Sequence, residues 1–160
     1  MSDPSHPSTT TPPLIAVRTI PTLTLAAAKL IAQAAEQHAT TLNIAINIAI
    51  CDHTTQLLYF VRMDNAKLTS ASIAIDKAYT SAGHRQPTSY YTDISKEKGK
   101  AFGLPFTNGG RFSILAGGMP LFDKDGVCIG AIGASGGSPA QDVECVQKGV
   151  DVLNALIKGQ

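Results

Sequence analysis

The chain has little net charge and no basic run: its formal charge is +1 over 160 residues. Nothing in that balance would neutralise a phosphate backbone or seek an acidic bilayer, so neither nucleic acid nor membrane is an expected partner. A cysteine framework is missing too. Cys51, Cys128 and Cys145 stand far apart with no C-x-x-C pair, which argues against a disulfide set and against a sulfur-based zinc site. A reduced, cytoplasmic setting with no metal centre is expected. The first twenty or so residues contain no apolar run long enough for a signal peptide or a membrane span.

What is present suffices for one ordinary domain, since 44% of the residues are hydrophobic and a chain of this length buries a core without staples. Residues 1–21, rich in Pro, Ser and Thr, read as a flexible arm; His6 lies in it and is given no role. The domain spans residues 22–160. Thr24 caps a helix from Leu25 to about Ala39, because Ala27, Leu30, Ile31, Ala34 and His38 recur at helical spacing. His38 falls on that apolar stripe. Ile44, Ile46, Ile48 and Ile50 alternate with Ala45, Asn47, Ala49 and Cys51, a period of two that marks a strand. One face is bulky and core-forming; the other is small and lets something pack close. Gln56 to Met63 is its antiparallel partner across the turn Asp52 to Thr55.

A second helix is predicted from about Thr69 to Ala82, with Gly83 as its stop and His84 and Arg85 just beyond. Pro87 and Thr88 open a shorter helical segment that carries Tyr90, Tyr91 and Ile94. Gly99 to Gly110 is the longest loop. Arg111 to Leu115 and Met119 to Phe122 read as strands, and Asp123 to Gly126 turns the chain into a last strand. Ser138, Pro139 and Gln141 form a capping-box start for the final helix, with Val143, Val146, Val150, Leu153 and Ile157 as its stripe. The sum is an α+β domain with one antiparallel sheet of about five strands flanked by helices.

Gly126 to Gly137, reading GVCIGAIGASGG, invites three functional readings. A dinucleotide fingerprint needs G-x-G-x-x-G and a following parallel strand, and neither is present. Gly133 to Gly137 satisfies G-x-S-x-G, but a nucleophile elbow places its acid and histidine after the serine, and the last histidine is His84. The third reading is an anion site made by the backbone N–H groups of Ser135, Gly136, Gly137 and Ser138 at the helix N-terminus. The structural alternative is that the glycines allow a close neighbour and a tight turn.

Several segments then stand together in a recognisable order: Phe60 to Ala66 (FVRMDNA), Lys77 to Thr80 (KAYT), Arg85 to Thr88 (RQPT), Gly117 to Pro120 (GGMP), and Gly130 to Gly137 (GAIGASGG) with Gln141-Asp142 beyond. This order resembles the GlcG/HbpS family, which includes the C-terminal domain of PduO-type proteins, over roughly Thr22 to Ile157. The chain departs from the family's usual pattern at Asp52 to Thr55, which lacks the customary glycine, and at His84, where relatives more often carry another residue. The resemblance implies a profilin-like fold, packing as a homo-oligomer and, in several members, haem binding.

A non-covalent haem would need an apolar slot, an axial donor and partners for its propionates. His84 is the first candidate ligand and His38 the alternative. Arg85, Tyr90 and the donors at Ser135, Gly136 and Gly137 are candidate contacts. A competing reading is a cofactor-independent enzyme on a small organic substrate, with His84 as base, Arg85 or Arg111 holding an anionic oxygen and Tyr79 or Tyr90 donating a proton. The simplest reading leaves Tyr79 in the core and His84 as a cation favoured at a helix C-terminus.

Overall fold

The structure, a computed structural model, describes residues 15–159; most of the proposed arm, with His6, lies outside the described residues. The elements run α1 (Leu25–Thr41), β1 (Asn47–Asp52), β2 (Leu57–Arg62), α2 (Ser70–His84), α3 (Tyr90–Ile94), β3 (Gly118–Phe122), β4 (Cys128–Ser135) and α4 (Pro139–Lys158). The strands form one sheet in the order β2-β1-β4-β3, with every neighbouring pair antiparallel. Helices cover both faces. Ile48, Ile50, Leu121 and Ile132 bury against Ile31 of α1 and Val146 and Leu153 of α4. On the other face Ala49, Cys51 and Ala131 meet Ala74, Ala78 and Ala82 of α2. The alternation read in the sequence therefore becomes two unequal layers, a bulky core and a thin alanine seam.

Helix starts follow their cap residues. Thr24 accepts from the Ala27 amide at 3.2 Å, and Ser138 and Gln141 complete the reciprocal capping box. Three expectations need correction. The buried stripe of α1 is Ala28, Ile31, Ala32, Ala35 and Ala39, whereas Leu30 is 46% exposed. Helix spacing depends on the side chains at the contact, so small alanines fill the closely packed buried stripe, and the larger Leu30 and His38 lie beside it, lining clefts between α1 and α4. Gly83 does not stop α2. The helix continues through His84 and ends where Arg85 takes the left-handed conformation (φ 57, ψ 34) and its amide bonds the Ser81 carbonyl.

The third correction concerns strand number, which is four among the described residues. Arg111 to Leu115 is no strand, because side-chain hydroxyls claim its backbone groups. Thr80 Oγ1 donates to the Arg111 carbonyl and accepts from the Ser113 amide. Thr92 donates to the Ile114 carbonyl at 2.8 Å and Thr88 to the Leu115 carbonyl at 2.6 Å. The segment is thus laced across α2 and α3 instead of extending the sheet.

The alanine seam closes at Gly133. A Cβ there would run into the Ala74 carbonyl oxygen and lie 2.6 Å from the Ala78 amide nitrogen, both rigid helical backbone. Gly133→Ala should therefore push α2 off the sheet and cost about 1–3 kcal/mol in urea unfolding, the usual range for overpacking. Gly103→Ala is the matched control, because nothing lies within 4 Å of its added Cβ. Equal midpoints for the two variants would contradict the seam.

Candidate functional site

His84 closes α2 on its exposed side, and its ring is set by aromatic neighbours. Nδ1 lies 2.9 Å from the Tyr91 hydroxyl. The ring also meets Phe112 edge-on at 4.7 Å and Tyr91 at 5.5 Å between centroids. Tyr91 is buried and Tyr90, stacked edge-on against it at 5.1 Å, is 60% exposed. Burial, with a smaller push from Tyr90, raises the Tyr91 phenol above its ordinary value, so it remains a neutral hydroxyl. In the tautomer with its proton on Nδ1, His84 donates to Tyr91 and keeps a lone pair on Nε2. Among the described residues Nε2 has no hydrogen-bond partner.

The other candidates distribute around this point. Arg111 lies over the Tyr79 ring, 3.9 Å from its centroid, and its Nε donates to Asp76 Oδ1 at 3.1 Å. Tyr79 and Arg111 are therefore brought together, but with Asp76, while His84 bonds Tyr91. Arg85 lines a separate cleft that holds Arg18 and His53. His38 sits on the flank of α1 beside a groove against α4 that Ala34, Thr41, Lys148 and Val152 help to line. Its Nε2 faces Glu144 at 3.4 Å and its Nδ1 faces Thr41 at 3.5 Å. A cleft of 480 Å³ between the start of α1 and the end of α4, lined largely by apolar side chains, has no His, Cys, Met or Tyr in its lining.

Ser135, Gly136 and Gly137 stand at the far end of β4 from Cys128, which borders the Arg85 cleft. Ser135 is buried and paired with Asn47, so it is no exposed elbow. The helix N-terminus is already supplied with an anion by the chain itself. The Gly137 amide donates to Asp142 Oδ1 at 3.0 Å, and the Ser138 amide to Gln141 Oε1 at 2.9 Å.

The same Asp142 makes the contact that sequence reasoning missed. Its Oδ2 lies 2.8 Å from Lys77 Nζ, which also donates to the Ala134 carbonyl at 2.7 Å. Both side chains are under 5% exposed. Burial depresses the Lys77 pKa and the Asp142 carboxylate opposes that shift. Space for the pair comes from Gly117 (φ +114), where a Cβ would sit 2.7 Å from Asp142 Cβ and 2.9 Å from Lys77 Nζ. A signal was available. Ser70, Ala74, Lys77, Ala78 and Ser81 form the inward stripe of α2, and a lysine on such a stripe requires a buried partner.

Comparison with known proteins adds the following. A family model described as haem degrading protein HbpS-like matches residues 23–151. A 15.0 kDa protein from the dhaT-dhaS intergenic region of Citrobacter freundii is 39% identical over 137 residues, covering 86% of this chain and 96% of that one. Corrinoid adenosyltransferase PduO of Salmonella typhimurium is 30% identical over 152 residues, 94% of this chain; the chain spans only 42% of PduO's length. Among solved structures, Klebsiella pneumoniae ORFY superposes with a TM-score of 0.86 at 33% identity, over 89% of this chain and 97% of that one. The PduOC:heme complex superposes with a TM-score of 0.79 at 28% identity, over 83% and 96%.

Removing one partner of a buried ion pair strands the other charge, at a cost of about 3–5 kcal/mol. Lys77→Met should lose that much stability in chemical denaturation, and Lys77→Met with Asp142→Leu should recover a large part of it. A Lys77→Met variant as stable as the wild type would remove the pair from the account.

Proposed function

Because the chain belongs to the HbpS-like family, described as haem degrading, we propose that it binds haem non-covalently, with His84 as the axial ligand. The observation that carries this reading is the His84–Tyr91 contact of 2.9 Å. A histidine ligand usually donates its second ring nitrogen to a neighbour, which fixes the tautomer and aims the free lone pair. Tyr91 is that neighbour, and Phe112 and Tyr91 hold the ring from two sides by edge contacts. Exposed Tyr90, edge-on against Tyr91, offers a flat apolar surface that a macrocycle would cover.

His38 is the weaker donor, because its Nε2 already faces the Glu144 carboxylate. The apolar cleft between α1 and α4 would shelter a macrocycle but has no atom to ligate iron. No role falls to Ser135, Gly136 or Gly137, since Asp142 and Gln141 engage the donors beside them. The solved PduOC:heme complex, a structure of the same fold, supports haem as the ligand class.

The proposed ligand site is a rim, not a closed slot, and the segments that follow His84 in the chain carry exposed apolar side chains. Tyr90 of α3 and Phe102, Phe106 and Leu115 of the loop beyond it are all exposed. A homo-oligomer that buries this face would exclude water from the bound haem.

Hemin titration followed by absorption tests the proposal. The wild type should give a saturable, sharp Soret band; His84→Ala should lose it and His38→Ala should keep it. Tyr91→Phe should bind about tenfold more weakly, the lower end of the range for losing such an orienting partner. A spectrum of loosely adsorbed hemin only, or an unaltered band in His84→Ala, would overturn the assignment.

A further inference from the structure

The stretch ahead of α1 is tied down at two points. The Leu23 amide donates to the Ile129 carbonyl at 3.1 Å, and Thr22 Oγ1 lies 2.9 Å from His53 Nδ1. This stretch, the β1–β2 turn, the end of α2 and the start of β4 enclose a cleft of 420 Å³, a volume suited to a small molecule. Its lining carries three basic side chains, Arg18, His53 and Arg85, and no carboxylate. Among the described residues neither arginine enters an ion pair.

We propose that this cleft binds a small doubly charged anion, a dicarboxylate or a phosphate, between Arg18 and Arg85 with His53 as a third donor. The basic groups come from three separate segments, the stretch ahead of α1, the β1–β2 turn and the end of α2. The negative end of the α2 dipole explains a cation at Arg85. It does not explain Arg18 on the same space, where two guanidinium charges repel unless an anion lies between them.

Geometry favours an oxyanion. A guanidinium presents paired N–H groups that match carboxylate or phosphate oxygens. When the Thr22 hydroxyl donates to Nδ1, the His53 proton stands on Nε2 and is free to donate. Arg85 also holds the left-handed conformation that usually goes to glycine after a helix. Cys128, on the cleft wall, donates to the Gly130 carbonyl, and burial raises its thiol pKa, so it remains a neutral wall atom.

The test uses the full haem-free chain at low ionic strength, so that it does not depend on the haem reading. Calorimetric titration and thermal denaturation are run with succinate, inorganic phosphate and, as a singly charged control, acetate. Saturable binding of succinate or phosphate with a raised Tm is expected; the stronger of the two names the ligand class. Arg18→Gln and Arg85→Gln should each weaken it about tenfold or more, the loss expected for one charge-assisted hydrogen bond, with unliganded Tm unchanged or raised. Stabilisation that acetate or chloride matches at equal ionic strength, or wild-type affinity in either variant, would overturn the proposal.

Discussion

The close approach of α2 to β4 is the constraint on which the rest of this fold depends. Alanines line both sides of the contact and Gly133 removes the one Cβ that would separate them. Lys77 and Asp142 then bolt the layers together from α2, through the Ala134 carbonyl of β4, to the first turn of α4. Such a pair adds little net stability over an apolar replacement, yet neither half tolerates loss of the other. Its effect is on position. It fixes α2 along the sheet and so fixes where His84, at the helix end, emerges.

The hydroxyl lacing works from the same helix. Thr80 of α2, with Thr88 and Thr92 nearby, holds the 111–115 segment by its backbone. That segment carries Phe112 against His84 and Arg111 over Tyr79. A scaffold contact, a laced loop and an aromatic clamp thus stand in series. The haem binding proposed at the rim would rest on all three, whereas the cleft of Arg18, His53 and Arg85 is built by the stretch ahead of α1, the β1–β2 turn, the end of α2 and the start of β4.

Much of the fold was legible from local signals. The isoleucine–alanine alternation of the first strand gave its two faces, and Thr24 and Ser138 marked both long helix starts, because periodicity and caps are local physics. Legibility failed where a distant partner decided the outcome. Arg111 to Leu115 has strand-like residues, but threonine hydroxyls from elsewhere in the chain take its hydrogen bonds. On α1 close packing in the core selected alanines for the buried stripe and left the larger Leu30 in the cleft beside it. At the candidate site, His84 could be picked out by residue type and Tyr91 by proximity in sequence. Phe112 and the Lys77–Asp142 pair needed the tertiary fold. The amides around Gly137 looked open as an anion site in sequence, since the carboxylate that fills it comes from one turn inside the following helix.

The proposed haem ligand, His84, rests on this chain's own geometry, its Nδ1 on the Tyr91 hydroxyl and its ring against Phe112. A crystal structure of the hemin complex tests it most directly. The account predicts iron bonded to His84 Nε2, with Nδ1 still on the Tyr91 hydroxyl and the macrocycle over Tyr90. Iron on His38, or a macrocycle seated in the apolar cleft between α1 and α4 with His84 untouched, would contradict it.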